Sequence, residues 1–137
     1  MSTRLDVLGF VVSDMARALA FYRRLGLHIA EGSDTEPHVE ATLPGGLRIA
    51  WDTVDTIRSF DAAYEALSGG HRMGLAFRCD DPAEVDRVYA ELTADGVKGH
   101  LAPFDAFWGQ RYATVHDPDG NPVDLFAPLP AAVEAGG

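Results

Sequence analysis

Five histidines (His28, His38, His71, His100 and His116), one cysteine (Cys79) and twenty-one carboxylates are the chain's raw material for acid–base or metal chemistry. No two histidines have the close helical spacing with which a zinc enzyme gathers its ion. They read as surface or strand-edge residues. A metal site built from them would have to draw on His38, Glu40 and His116. His71 lies just before Gly74, but a register shift of three residues would turn it to the other face. Cys79 sits in an apolar stretch and reads as a small core residue, not a nucleophile. No serine occupies a nucleophile elbow. Gly45-Gly46 and Gly69-Gly70 do not open a helix in the way a phosphate-cradling loop does. Asp52 and Asp55 read as a solvated pair.

The densest chemical signal is aromatic. The segment from Phe104 through Phe107, Trp108 and Arg111 to Tyr112 places four aromatic residues in nine. Aromatic faces stack on flat conjugated ligands and on cations. The same cluster also reads as a structural plug at a sheet edge, with Phe104 structural and Trp108 in a cleft. Trp51 and Phe60 flank a stretch without strand pattern and are expected to form an opposite wall.

Charge narrows the partners. Lys plus Arg is 11 against 21 for Asp plus Glu, a net charge of −10. A nucleic-acid binder would carry a basic stripe instead, whereas an acidic surface attracts cations. Apolar residues at 47% and charged residues at 23% fit a soluble globular chain, and 137 residues fit one domain. A lone cysteine excludes an intrachain disulfide. No uncharged apolar run approaches the roughly 20 residues of a membrane span. The opening residues carry no signal-peptide pattern. The expectation is a soluble, cytoplasmic protein with neither nucleic-acid nor membrane partners.

Positioning falls to two similar halves. The stretch Leu5 to Val12 predicts a buried strand, Ser13 or Asp14 a helix cap, and Met15 to Leu25 an amphipathic helix stopped at Gly26. Strands are predicted at Leu27 to Ala30, His38 to Leu43 and Leu47 to Trp51, the last two joined by Pro44-Gly45-Gly46. A short helix over Ser59 to Leu67 and a break at Ser68-Gly69-Gly70 follow. The pattern then restarts. Met73 to Cys79 predicts a strand, Pro82 to about Ala94 a helix ended by Asp95-Gly96, and Val97 to Leu101, Arg111 to Val115 and Val123 to Phe126 three more strands. Leu8-Gly9-Phe10 and Leu75-Ala76-Phe77 correspond at an offset of 67 residues. The expected fold class is α+β: two tandem βαβββ modules, about 4–55 and 72–128, in one domain over 1–130 with a flexible tail at 131–137. A curved mixed sheet would carry helices on its outer face and open a cleft inside.

Four stretches carry a resemblance to a known family: Phe10-Val11-Val12-Ser13-Asp14, Ala20 through Leu27, Leu75 through Asp81, and Asp117 through Leu125. Together, and in this order, the Phe-Tyr-x-x-Leu-Gly and Asp-Pro-Asp-Gly-Asn pieces resemble the vicinal oxygen chelate superfamily. That superfamily includes glyoxalase I, extradiol dioxygenases and bleomycin resistance proteins. The resemblance covers about residues 4–128. It implies a metal held by a His early and an acid late in each module. The matching first-strand positions are Val7 and Gly74, the late acid of the second module falls on Asp124, and Leu47 to Trp51 offers no carboxylate. The resemblance is therefore closest to the metal-free bleomycin resistance type, and no metal or cofactor is expected.

Strand parity, anchored on an inward Asp124, predicts the cleft face. Pro122 and Phe126 would share it, with Val7, Gly9 and Val11, with Gly74, Ala76 and Arg78, and with Leu47, Ile49 and Trp51. Leu8, Phe10, Leu75 and Phe77 would pack under the helices. The Trp-Gly-x-Arg element resembles the segment before the final hairpin of bleomycin resistance proteins. The resemblance implies a non-catalytic protein that sequesters an aromatic or cationic antitumour antibiotic and confers self-resistance. The ligand would be bleomycin-type, an anthraquinone-containing enediyne, or mitomycin-like. Trp51, Phe107 and Trp108 would stack on it, with Arg78, Arg111 and Asp124 as polar contacts and Val7, Gly9, His38, Ile49, Phe60, Gly74, Phe104 and Tyr112 completing the lining. It also implies a homodimer with ligand clefts at the subunit interface. The competing readings are a metal-dependent lyase, isomerase or dioxygenase with rearranged ligands, and a binder of a small metabolite.

Overall fold

The computed structural model describes residues 4–65 and 73–130. The chain divides into two compact units, 1–69 and 70–137. His71, the Ser68-Gly69-Gly70 break and the tail from 131 lie outside the described residues.

The first unit opens with strand β1 (Val7–Val12) and helix α1 (Met15–Arg24). Asp14 caps α1, its carboxylate accepting from the Arg17 amide at 3.1 Å. Gly26 ends the helix at φ +93°, a conformation that favours glycine, and its amide closes on Arg23 O. Strands β2 (His38–Thr42) and β3 (Arg48–Thr53) follow, then a short helix α2 (Val54–Arg58). The sheet order is β1-β3-β2, with β1 parallel and β2 antiparallel to β3.

Two expected elements are corrected here. Leu27 to Ala30 is not a strand, so this module has three strands and not four. The cause is Arg23, whose guanidinium takes the Ile29 and Ala30 carbonyls at 3.4 and 2.8 Å, acceptors that a ladder would have used. The second helix lies at Val54–Arg58 and not over Ser59 to Glu65, the described part of the stretch expected to reach Leu67. Thr53 starts it directly out of β3, accepting from the Thr56 amide at 3.2 Å.

Register also corrects the face assigned to Ile49 and Trp51. Leu8 pairs with Ile49 and Phe10 with Trp51 in the parallel β1–β3 ladder. Partners in a ladder share a face, so Ile49 and Trp51 lie with Leu8 and Phe10 against α1. Trp51 is fully buried, 5.7 Å from the Tyr22 ring and 6.4 Å from Phe10. The open face of this sheet instead carries Val7, Gly9 and Val11 beside Arg48, Ala50 and Asp52, with His38, Glu40 and Thr42 on the edge strand.

The second unit contains β4 (Leu75–Arg78), α3 (Pro82–Ala94), β5 (Lys98–Ala106), β6 (Gln110–His116) and β7 (Pro122–Pro128). The order β4-β7-β6-β5 is parallel at β4–β7 and antiparallel elsewhere, the full expected βαβββ module. Asp81 caps α3 through the Glu84 amide at 2.8 Å, with Pro82 in the first turn. β5 runs well past Leu101 to Ala106, with register irregularities between Gly99 and Leu101 and between Leu101 and Phe104. Gly99 is required because a Cβ there would overlap the Tyr89 hydroxyl of α3. Val115, Val123 and Leu125 are buried. Asp117 fixes the β6–β7 turn, accepting from the Asp119 and Asn121 amides at 2.9 and 2.8 Å. Cys79 is buried, as its apolar setting predicts, and burial pushes its thiol pKa up. The architecture is α+β in two modules, one mixed sheet in each.

Candidate functional site

In the second unit the ladders bring a polar pair and an aromatic cluster to one face. Asp124 pairs with Ala76 on one side and Thr114 on the other, and Tyr112 lies between Phe104 and Phe126. Alternation therefore places Ala76, Arg78, Phe104, Tyr112, Thr114, Asp124 and Phe126 on the sheet face opposite Leu75, Phe77 and Leu125. The Asp124 carboxylate accepts from Thr114 Oγ1 at 2.7 Å and from the Tyr112 hydroxyl. Burial, then the Asp124 carboxylate, pushes the Tyr112 phenol up to about 12, so it stays a donor at neutral pH.

Trp108 stands on the β5–β6 turn next to Gly109 at φ +90°, and its indole N–H donates to Gln110 Oε1 at 2.8 Å. Its ring lies 5.2 Å from Tyr112, 6.3 Å from Phe104 and 5.0 Å from Phe107, near perpendicular to each. These rings stay in contact with solvent: Phe107 is 97%, Trp108 48% and Phe104 37% exposed.

Arg111 does not join this face. It alternates with Tyr112 and turns to α3, where its guanidinium donates to Asp86 at 2.9 and 3.3 Å and to Asp105 at 3.1 Å. Phe60 follows α2 in the first unit, 75% exposed.

The first unit's open face carries charge instead. His38 Nδ1 lies 2.5 Å from Asp52, and Nε2 lies 2.7 Å from Glu40. Arg48 donates to Glu40 at 2.7 Å and to Asp6 at 2.5 Å. Neutral imidazole has a single N–H, so a ring between two ionised carboxylates is held as imidazolium. Glu40 and then Asp52 raise the His38 pKa, and His38 and then Arg48 lower that of Glu40. Sequence reasoning missed Asp52 as the partner of His38. The hairpin Pro44-Gly45-Gly46 was visible, but only its register sets His38 opposite Asp52.

These faces do not suit the metal that the resemblance implies. Gly9 pairs with Ala50 as Ala76 pairs with Asp124, so Ala50 stands where the second module has its carboxylate. Val7, Ala50 and Gly74 supply no side-chain donor, and both Asp124 oxygens are engaged. A side chain at Gly74 would press on Pro122 at 3.1 Å. His38, Glu40 and Asp52 do come together, but the carboxylates sit on opposite ring nitrogens, so the donors do not converge. Among the described residues no group of three or more His, Cys, Asp or Glu is placed to hold an ion.

The first unit also has an open cavity of about 690 Å³, lined by Met15, Asp34, Glu36, Thr53 and Asp55 among others. None of the residues predicted to bind a ligand lines it. No helix among the described residues is long and apolar enough to cross a membrane.

Solved structures share the fold. A glyoxalase/bleomycin resistance protein/dioxygenase family enzyme from Burkholderia phytofirmans PsJN matches at TM-score 0.78 and 20% identity, over 93% of this chain and all of that one. A glyoxalase-related enzyme from Fulvimarina pelagi matches at 0.74 and 19%, over 90% and 87% of the two chains. A protein of unknown function from Agrobacterium tumefaciens matches at 0.69 and 26%, over 94% and 97%. No curated protein sequence matches. A sequence profile of the Glyoxalase/Bleomycin resistance protein/Dioxygenase superfamily matches residues 4–125, nearly the whole of both modules, and the chain belongs to that superfamily.

Proposed function

We propose that this superfamily member is a metal-independent binding protein that captures a small aromatic or cationic natural product and releases it unaltered. The observation that carries this reading is the contact of Phe104, Trp108 and Tyr112 on the Asp124 face, with Trp108 half exposed. The donor chemistry agrees: three of the four inherited ligand positions hold Val7, Ala50 and Gly74. Sequestration of an antitumour antibiotic for self-resistance is the specific form we favour, in a homodimer of two sites. Binding then rests on apolar and cation–π contact, and Asp124 acts by orienting Tyr112 through its hydroxyl.

The test is calorimetric titration of chelator-treated protein with bleomycin, an enediyne, a mitomycin and a simple quinone, followed by mass spectrometry of the recovered compound. Binding of one class, unchanged in mass, supports capture. An altered product, or binding that needs added metal, overturns it. The second reading, an enzyme, draws on His38, which Asp52 orients through Nδ1, and requires Glu40 to leave Nε2 for a substrate to reach it. It predicts turnover lost in His38→Gln, whereas capture predicts unchanged affinity.

A further inference from the structure

The open cavity of the first unit offers hydrogen-bond acceptors and almost no donors. Its volume of about 690 Å³ lies among those of small-molecule sites, roughly 300–1,000 Å³. One wall is the stretch 34–37 before β2, and the other is Thr53 with α2 and Ser59. The Thr56 hydroxyl and the Thr53 amide join the two walls by donating to Pro37 O at 2.9 and 3.2 Å. No Lys, Arg, His, Asn, Gln, Trp or Tyr lines the space. Its hydroxyls have mostly spent their hydrogens on the protein itself. Thr56 gives its only one to Pro37 O, so Thr53 is the donor in the 2.7 Å bond between the Thr53 and Thr56 hydroxyls. Ser59 gives its own to Thr56 O at 2.5 Å. Among the described residues of the lining, Thr35 alone keeps a hydroxyl hydrogen to offer. The rest of the side-chain lining accepts: hydroxyl lone pairs, the Met15 thioether and three carboxylates.

The carboxylates are not equally engaged. Asp34 is bound by Arg23 at 2.8 Å. Glu36 and Asp55 make no hydrogen bond or ion pair among the described residues. The lining therefore carries two uncompensated negative charges, one on each wall. An anionic or acceptor-rich ligand meets repulsion there, and a donor-rich cation meets its complement. A single metal ion does not match this arrangement, because among the described residues no three His, Cys, Asp or Glu are placed to hold one. Charges on separate walls suit a ligand whose own charges are separated.

We infer that this cavity binds an aliphatic diamine or polyamine, with two of its ammonium groups on Glu36 and Asp55 and its methylenes along Met15 and Pro37. Each ammonium brings several N–H donors. Those that the carboxylates leave go to the hydroxyl oxygens of Thr35 and Ser59. Both carboxylates belong to exposed residues, so each ion pair contributes about fivefold or less to affinity, and binding is weak. The inference goes beyond the capture proposed above and does not depend on it, since no residue of the Asp124 face lines this cavity.

The experiment titrates the full chain at low salt with putrescine, with butylamine, with butanediol and with calcium, reading amide and indole shifts by NMR. The expected result is a saturable putrescine shift at the amides of 34–36 and 53–59, with the Trp108 indole N–H still. Putrescine should bind about fivefold more tightly than butylamine, and butanediol should not bind. Raising salt from about 0.01 M to about 0.1 M should weaken putrescine, as the screening length falls from about 30 to about 10 Å. Glu36→Gln and Asp55→Asn should each lower putrescine affinity about fivefold, to the level of butylamine. Glu91→Gln, the same charge change on an exposed position of α3, should leave it unchanged. Unfolding curves establish that the variants fold, and the comparison of the three four-carbon ligands needs no variant. Equal affinity for putrescine and butanediol overturns the inference, and so does an equal loss in Glu91→Gln, which would assign binding to the net charge alone. Calcium that shifts the same amides and displaces putrescine overturns it in favour of a metal site. A putrescine shift confined to the Trp108 indole overturns it while supporting capture on the second unit. No shift with any of the four overturns it and leaves capture of an aromatic ligand as it stands.

Discussion

The two modules place equivalent residues on equivalent strands and make different chemistry of them. Gly9 and Ala50 pair in the first as Ala76 and Asp124 pair in the second. In the second, the carboxylate organises Tyr112 and, through ring contacts, Trp108 and Phe104. In the first, the position is alanine, and the charge has moved two residues along β3 to Asp52 and across to His38 and Glu40 on β2. The tryptophans show the same divergence. Trp51 is wholly buried under α1, while Trp108 is half exposed on a turn. One indole supports the fold and the other meets solvent.

The contrast breaks most visibly at the tryptophans. Trp51→Ala should cost about 3–5 kcal/mol, by loss of buried area and an unfilled cavity beside Phe10 and Tyr22. Denaturant unfolding checks this, and a loss below about 1 kcal/mol would put Trp51 outside the core. Next is Asp124→Ala. It strands the Tyr112 and Thr114 hydroxyls and should cost about 1–3 kcal/mol, whereas Ala50→Ser in the first module should change stability little. Paired unfolding curves test whether the carboxylate organises only its own face.

Much of this contrast was legible in the residues, and the rest was not for identifiable reasons. The repeat was visible because Leu8-Gly9-Phe10 and Leu75-Ala76-Phe77 sit before the capping aspartates Asp14 and Asp81, a local pattern. The second-module face followed from parity because Asp124 anchored it. The face of Trp51 did not, because the phase of β3 is set by pairing with β1, some forty residues earlier in the chain. Leu27 to Ala30 failed as a strand because a side chain, Arg23, took its carbonyls. Arg111 was placed among ligand contacts because charge near aromatics looks functional, yet alternation with Tyr112 sends it to Asp86 on α3. Asp52 was read as solvated because its partner His38 lies across a hairpin whose register the turn residues alone do not state.

Smaller effects sharpen the comparison. The His38 pKa is raised on folding, so its contribution to stability is full below its unfolded value of 6.5 and is lost as pH rises through the folded value. Glu40 is lowered, so its contribution is present above 4.5 and is lost as pH falls through its folded value. The first module's face should therefore be most stable between those limits. Melting midpoints across pH 4 to 9 should decline gently on both sides, and His38→Gln should remove the alkaline decline. The smallest effect belongs to Arg111→Ala, which removes partly exposed ion pairs worth about 1 kcal/mol or less and should leave ligand affinity unchanged. A tenfold loss of affinity there would restore Arg111 to the site.

We propose that ligand capture occurs on the second module's aromatic face without a metal. The most direct measurement is an NMR titration of chelator-treated protein with whichever compound binds by calorimetry, following both indole N–H groups. A saturable shift at Trp108 with Trp51 unmoved is the predicted result. A Trp108 signal that stays in place through saturation, or moves only when a divalent metal is added back, would contradict the account.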